Sequence, residues 1–500
     1  MSAHESLEVE LKFDVDVDHP VPDLAALVPD GSVAQPQRFE LRATYLDTIG
    51  HDLAARKITL RRRTGGTDAG WHLKRPGKAF GSGTVRRELA VPFTDPSTDP
   101  AEQEVPAAIR HAIMAIVRDR DLIPVAEITS ERTVTVLRDA QGTSLAEFCQ
   151  DRVISHAHQS QHTQEWAEWE FELTGGGKKL LKAADKLLGS AGARPAVSSS
   201  KLARAIGTEP HVHAPGTLPK KPTALDFLVH TVGEHVTALV ATDPLVRENA
   251  WDAVHQMRVN SRRLRSILTS FPQIADPDST AGLTAELQAL GEVLGEARDR
   301  EVQLEINTRL LAGEHDVPEQ LQAVLIDDEI ARQERALRSV RYAMSTSRYL
   351  RLLDALDDLV ANPVPGPDAA RRADKVADEG LAAARTRLRK AEKKLSALPP
   401  WSPDWVAQVH RIRRRAKAVR YTAGAVAGLD HPRAGKVGKR AARIQSLLGD
   451  FQDTVINREQ IARAAQTPDL PPRALLILGR LDEREEQRGR TAVQTYLAER

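Results

Sequence analysis

The first residues able to do chemistry stand in Leu7-Glu8-Val9-Glu10-Leu11-Lys12-Phe13, where odd positions are apolar and even ones carry Glu, Glu and Lys. A strand sends alternate side chains to opposite faces, so two carboxylates and an ammonium share one face. Glu168-Trp169-Glu170-Phe171-Glu172-Leu173 repeats the pattern with three acids against Trp, Phe and Leu. Other alternating runs supply bases: Arg61 and Arg63, His72 and Lys74, and Arg86 with Glu88. Arg62, Arg75 and Arg87 fall on the mostly apolar side. One such strand alone reads as an antiparallel strand with a solvated face. Taken together, some bearing acids and others bases, they predict a closed barrel with a polar interior. Such an interior suits a polyphosphate on the bases and a hard divalent cation on the carboxylates. No Gly-x-x-x-x-Gly-Lys-[Ser/Thr] run occurs, so a phosphate-binding glycine loop is not the device.

A second constellation lies further on. Val254-His255-Gln256-Met257-Arg258-Val259-Asn260-Ser261-Arg262-Arg263-Leu264-Arg265 and Val409-His410-Arg411-Ile412-Arg413-Arg414-Arg415-Ala416-Lys417-Ala418-Val419-Arg420 both read His-x-x-Arg-x-x-x-[Arg/Lys]-x-x-Arg. Leu294-Gly295-Glu296-Ala297-Arg298-Asp299 is answered by Leu448-Gly449-Asp450-Phe451-Gln452-Asp453, with Asp299 44 residues after the first His and Asp453 43 after the second. Matching residues at nearly matching separations predict duplicated halves. At about 100° per residue, each His and its three bases fall within an arc of roughly 80°. A solvated helix face normally intersperses acids for i,i+4 pairing. Neither stretch contains one, which points to a polyanionic partner. The histidines either face that partner or donate to Asp299 and Asp453.

Two textures of sequence must position these groups. From about residue 5 to 173 the period is mostly two, with expected helices at 105–118 and 178–188. The stretch 208–223 is rich in Pro and polar residues and reads as a linker. From 224 to 500 apolar residues recur at helical spacing, broken at 271–279, 314–317, 362–368 and 398–403. The expected domains are therefore 1–207 and 224–500, the latter in halves of about 224–365 and 369–500. A chain of 500 residues with 41% hydrophobic and 28% charged content can bury sizeable cores without staples. Cys149 is the only cysteine, which excludes an intrachain disulfide or a cysteine metal cage and suits a reducing cytoplasm. The acidic N-terminal run lacks the form of a secretory signal, and no apolar stretch is long enough to span a membrane. The formal charge of +1 hides basic segments at 385–394, 410–420 and 433–443.

The series Glu8-x-Glu10-x-Lys12, Tyr45-Leu46-Asp47-Thr48, Leu60-Arg61-x-Arg63, Leu73-Lys74-Arg75-Pro76, Arg86-x-Glu88, Asp151 and Glu170-x-Glu172 resembles the CYTH family, the triphosphate tunnel metalloenzymes. The resemblance implies an α+β domain built on an eight-stranded antiparallel tunnel that cleaves the terminal phosphate of a triphosphate with Mg²⁺ or Mn²⁺. It implies Glu8, Glu10, Lys12 and Glu88 as catalytic residues and Glu8, Glu10, Asp151, Glu170 and Glu172 as metal ligands. Lys12, Arg61, Arg63, Lys74, Arg86 and Arg132 would clamp phosphate. Arg132 fits least well, since Val134 and Val136 share its strand face. His72 is expected in the tunnel wall. The helical half resembles the CHAD domain, which implies two pseudo-symmetric four-helix bundles around a groove for inorganic polyphosphate. His255, Arg258, Arg262, Arg265, His410, Arg413, Lys417, Arg420 and Tyr421 match its motif positions, while Gln452 departs from Arg298 of the first repeat.

The expected function is hydrolysis of inorganic triphosphate coupled to polyphosphate binding, in a cytoplasmic protein associated with polyphosphate granules. One rival is action on nucleoside or thiamine triphosphates, or a cyclase reaction. Another is a non-catalytic protein that collects polyphosphate or nucleic acid. The 4% aromatic content disfavours base stacking and with it nucleic acid.

Overall fold

The computed structural model describes the chain except for residues 1–3, 78–82, 94–98, 100–102, 199, 208–215, 430 and 432. The first part of the predicted linker, 208–215, lies outside the described residues. Contacts divide the chain into two units, Met1–His213 and Ala214–Arg500.

In the first unit the strands are β1 (His4–Val15), β2 (Ser32–Val33), β3 (Gln37–Asp47), β4 (Thr59–Thr64), β5 (Gly70–Pro76), β6 (Thr84–Pro92), β7 (Ile123–Arg138), β8 (Ser144–Ala157), β9 (His162–Leu173) and β10 (Arg194–Pro195). Eight close on themselves in the order β1-β6-β5-β4-β3-β7-β8-β9, with β9 pairing back to β1. The two-residue strands β2 and β10 are additions on β7 and β1. Every pair is antiparallel. The register sets Lys12 opposite Glu170 and Glu10 opposite Glu172. It also sets Glu8 opposite Arg86, Lys74 opposite Glu88 and Arg132 opposite Asp151. Directly opposed side chains share a face, so acids meet bases across the strands at four of these pairs, while Glu10 and Glu172 bring two acids together.

The alternation runs charged inward and apolar outward. Val9, Leu11 and Phe13 join Phe148, Trp169 and Phe171 outside the barrel, beneath Leu181 and Leu188 of the helix α2 (Lys178–Ser190), which follows α1 (Ala107–Val117). Burying these residues against a helix frees the inner face to be polar. Arg75 and Arg87, out of phase with the inner bases, both meet Glu5. Asp47 accepts hydrogen bonds from the backbone of Thr48, Leu53 and Ala54, so the Tyr45-Leu46-Asp47-Thr48 run anchors a turn. A short helix, α3 (Lys201–Ile206), starts where the Ser200 hydroxyl accepts from the Ala203 N–H.

The second unit is helical throughout its described elements. The first half holds α4 (Ala224–Arg247), α5 (Ala253–Ser270), α6 (Pro277–Ala312), α7 (Glu319–Gln322), α8 (Asp328–Met344) and α9 (Ser347–Ala361). A π-type turn, Ala323–Asp327, joins α7 to α8. The second half holds α10 (Ala373–Leu395), α11 (Pro403–Ala427), α12 (Ala434–Ala464) and α13 (Pro472–Glu499). Four helices are thus found in the second half, while the first has six, adding the one-turn α7 and also α9, which packs on α4, α6 and α8. Polar residues start the helices: Thr223 and Asp226 form a capping box on α4, and Asp276 and Ser402 cap α6 and α11 ahead of Pro277 and Pro403. Trp405, Val409, Ile412, Ala416 and Val419 of α11 pack into a core with Leu388 of α10, Leu448 and Phe451 of α12 and Tyr496 of α13. His410, Arg413 and Lys417 lie just beside that apolar stripe. Among the described residues no helix is long and apolar enough to cross a membrane.

Candidate functional site

The inner face of the barrel encloses a cavity of about 300 Å³. Of the sequence-predicted residues, Glu8, Lys12, Arg61, Arg63, Lys74, Arg86, Glu88, Arg132, Glu170 and Glu172 line it. Glu10 and Asp151 are not among the lining residues and are buried. Glu10 lies 3.3 Å from Lys12 Nζ and 3.7 Å from Arg86 Nε, and Asp151 is engaged by Arg132 and Lys201. His72 sits between Glu88, 2.8 Å from Nδ1, and the Asp68 carbonyl, 2.9 Å from Nε2.

Arg132 is the residue whose position the face pattern misjudged. It lines the cavity together with Val134, so the inner wall carries an apolar residue there. Its guanidinium donates to both oxygens of Asp151, at 2.8 and 2.5 Å, and to Glu170 at 2.5 Å. These carboxylates hold Arg132 fully charged against the cost of burial.

Lys201, at the start of α3, is a cavity residue that the strand pattern did not reveal. Its ammonium lies 2.9 Å from Asp151, 2.5 Å from Glu168 and 2.8 Å from Glu170. Burial opposes its charge, but the three acids outweigh burial and hold it protonated. The same carboxylates lie close enough to share one metal ion, and Lys201 occupies the middle of that cluster. Asp151, expected as a metal ligand, stands in this cluster paired with Arg132 and Lys201. The Ser-Ser-Ser-Lys run signals a capped helix start. Where that helix points is a tertiary property.

A different set of carboxylates suits a metal. Glu8 Oε2 and Glu10 Oε1 are sealed from water without a hydrogen bond. Burial, then the neighbouring Glu8, Glu10 and Glu170, push the Glu172 carboxyl up to about 8 against the pull of Lys74. Burial likewise raises Glu10, while at Glu8 burial, the largest single influence, is overcome by Lys74 and Lys12 together and the carboxyl is lowered. Crowded carboxyls whose oxygens lack hydrogen bonds gain from a divalent cation, and an all-oxygen donor set suits Mg²⁺ or Mn²⁺. Glu88 differs: Lys74, His72 and Arg61 overcome its burial and hold it well below the usual carboxylate range.

In the helical unit, α5, α6, α11 and α12 enclose a groove of about 830 Å³. Its lining includes His255, Arg258, Arg262, Arg265, His410, Arg413, Lys417 and Tyr421. Arg420 is not among the lining residues; it is exposed and donates to Gln445 at 3.2 Å. Arg265, at the same offset in the first repeat, does line the groove, so the two walls differ there. Arg298, Arg300 and Arg414 add to the wall, against the acids Asp299 and Asp453 alone.

The halves repeat one contact. Arg258 lies against Gly295 and 3.4 Å from Asp299; Arg413 lies against Gly449 and 3.9 Å from Asp453. Glycine and aspartate sit one turn apart on the neighbouring helix, so each guanidinium lies flush on backbone. The aspartates thus meet arginines, whereas His410 Nδ1 is 3.1 Å from Gln452 Oε1. Gln452 is accommodated by that contact, and Arg298, its counterpart, pairs with Glu301 at 2.7 Å. Arg262 stands 5.7 Å over the Tyr421 ring. Burial, then Arg413, Arg262 and Arg258, push Lys417 down to about 7.

A barrel of eight antiparallel strands around an acid-and-base cavity, joined to a duplicated helical unit around a basic groove, defines a class that sequence comparison places. The CYTH domain profile matches residues 6–205 and the CHAD domain profile residues 230–462. An uncharacterized protein of Mycobacterium tuberculosis (strain ATCC 25618 / H37Rv), Rv2226, is 39% identical over 482 residues, covering 92% of this chain and 89% of its own. Among solved structures, PptA from Streptomyces chartreusis is 24% identical over 55% of this chain and 98% of its own, with a TM-score of 0.47. The CHAD domain from the plant Ricinus communis is 22% identical over 55% and 93%, with a TM-score of 0.42. The chain belongs to the family of triphosphate tunnel proteins that carry a CYTH domain followed by a CHAD domain.

Proposed function

We propose that the N-terminal unit hydrolyses inorganic triphosphate and that the helical unit binds inorganic polyphosphate. The observation that carries this reading is the cavity in which seven bases, Lys12, Arg61, Arg63, Lys74, Arg86, Arg132 and Lys201, stand among the carboxylates Glu8, Asp68, Glu88, Glu147, Glu170 and Glu172. Forked and point-charge cations beside crowded carboxylates are the donor sets that a triphosphate and its divalent cation need. Arg61, Arg63, Arg86 and Arg132 clamp phosphate oxygens with forked donors, and Lys12 and Lys74 act as point charges. Glu8, Glu10, Glu170 and Glu172 would hold Mg²⁺ or Mn²⁺, which when bound there neutralises phosphate charge and activates water. Glu88, charged and held by Lys74, positions the water or steadies the clamp. The proposal carries with it a cytoplasmic setting beside polyphosphate granules, with polyphosphate drawn to the groove by its uncompensated bases.

The test is phosphate release from inorganic triphosphate, ATP, thiamine triphosphate and long polyphosphate, with Mg²⁺, with Mn²⁺ and with chelator. Inorganic triphosphate should be cleaved fastest and chelator should stop it; faster turnover of ATP would replace the assigned substrate. Residues 1–207 alone should keep the activity, since every cavity residue precedes 208.

A further inference from the structure

Of the basic segments in the sequence, 385–394 has no place in either the cavity or the groove. From Arg385 to Arg420 the chain carries 12 arginines and lysines against two acids, Glu392 and Asp404. Glu392 is 8% exposed and turned inward, where its Oε1 accepts from the Tyr496 hydroxyl at 3.3 Å. Asp404 lies in the first turn of α11, where a carboxylate complements the helix dipole. The α10 segment thus loses its own acid to the core. Arg387, Arg389, Lys390, Lys393 and Lys394 are exposed, and among the described residues none of these side chains has an ion-pair partner.

The way α10 meets α11 brings part of this charge up to the groove. Gln408 of α11 donates to the Ala391 carbonyl of α10 at 2.7 Å and fixes where the two helices pack. Arg411 and Arg415, three and seven positions after Gln408, lie within about 60° of it on the helix. On α10, Arg387 and Lys394, four before and three after Ala391, lie within about 60° of that residue. All four are exposed, so they flank the outer edge of the seam between the helices. Arg414, which lines the groove, stands three positions after Arg411 and again about 60° away. The bases of the groove therefore continue around α11 and onto α10.

A helix face that serves only solvation intersperses acids among its bases, and this one does not. Helix α10 contains no aromatic residue, so an unstacked nucleobase would find no ring there. The geometry points to the seam of α10 and α11 as a second contact surface for inorganic polyphosphate, continuous with the groove and engaged only by chains long enough to leave it. This inference rests on the reading of the groove as a polyphosphate site. Groove and seam act on one chain as linked sites, because a segment held in the groove raises the effective concentration of the next segment at the seam. The seam therefore selects for chain length beyond the span of the groove.

The experiment is titration of the full chain with polyphosphates of graded length, at two salt concentrations and in chelator to prevent hydrolysis. The seam variant is Arg387→Gln/Lys394→Gln/Arg411→Gln/Arg415→Gln, and the groove variant is Arg258→Glu/Arg413→Glu. Removing four phosphate contacts should weaken binding of the longest chains by about tenfold or more and flatten its salt dependence, each contact contributing about 0.7 to 0.9 to the log–log slope. The shortest chains should bind the seam variant as they bind the wild type. Triphosphate hydrolysis with Mg²⁺ should also be unchanged, since no seam residue lines the cavity. Undiminished binding of long chains by the seam variant, or an equal loss at every length, would overturn the seam. Wild-type binding by the groove variant at all lengths would instead overturn the polyphosphate reading beneath it. Tighter binding of single-stranded DNA of equal charge, lost in the seam variant, would overturn polyphosphate as the partner.

Discussion

Binding of a long polyphosphate to the helical unit should weaken about tenfold between about pH 6 and about pH 8, with Lys417 as the cause. Burial and the three arginines Arg413, Arg262 and Arg258 bring Lys417 to about 7, with Asp453 the acid opposing them. A phosphate chain in the groove adds negative charge beside the ammonium and returns it towards its ordinary value, so binding takes up a proton. Over that interval the charged fraction of the free protein falls from about nine-tenths to about one-tenth. Affinity falls with it, by about 1.4 kcal/mol. His255 and His410 line the same groove, so the reference must differ from the wild type at position 417 alone. Lys417→Arg separates the contributions, because it keeps a permanent charge at the same place. Calorimetry at fixed salt, in buffers of different ionisation enthalpy, counts the proton directly. Identical pH profiles for the wild type and Lys417→Arg would refute the reasoning. The sign for folding is the opposite: a lysine lowered in the folded state gives stability that rises with pH from about 7 towards its unfolded value of 10.5.

Glu10→Ala and Glu172→Ala should each abolish triphosphate hydrolysis while circular dichroism shows the barrel intact. Because Glu172 is raised to about 8 without metal, adding Mg²⁺ at neutral pH should release a proton, visible with an indicator dye and lost in Glu172→Gln. Lys201→Met should destabilise the barrel in chelator by about 3 kcal/mol, since it strips the shared counter-ion from three buried acids, and Mg²⁺ should restore part of that in a thermal melt. Gly449→Ala should move stability and binding in opposite directions. Alanine gains helix propensity of up to about 1 kcal/mol, yet its Cβ would stand 3.3 Å from the Arg413 guanidinium and displace it, weakening polyphosphate binding a few-fold in the same titration.

How much of this was legible in the sequence depends on the range of each interaction. Alternation in Leu7-Glu8-Val9-Glu10-Leu11-Lys12-Phe13 is local, and it separated the inward charges from the outward core before any contact was known. Barrel closure turns that local pattern into a site, because Lys12 meets Glu170 only when β9 pairs with β1. Arg132 escaped the pattern because a face was judged by its neighbours Val134 and Val136, whereas what decides is the cross-strand partner Asp151. Lys201 lay beyond reach for the same reason, its three acids standing on β8 and β9, 31 residues or more away. In the helical unit, the repeat and its bases were visible as spacing, but which arc faces the groove was not. Arg265 lines it and Arg420, at the matching offset, does not. The repeat therefore specifies two similar helices and not two identical walls. Where the halves differ, as in Lys417 against Arg262, the chain has a titratable cation on one wall and a permanent one on the other.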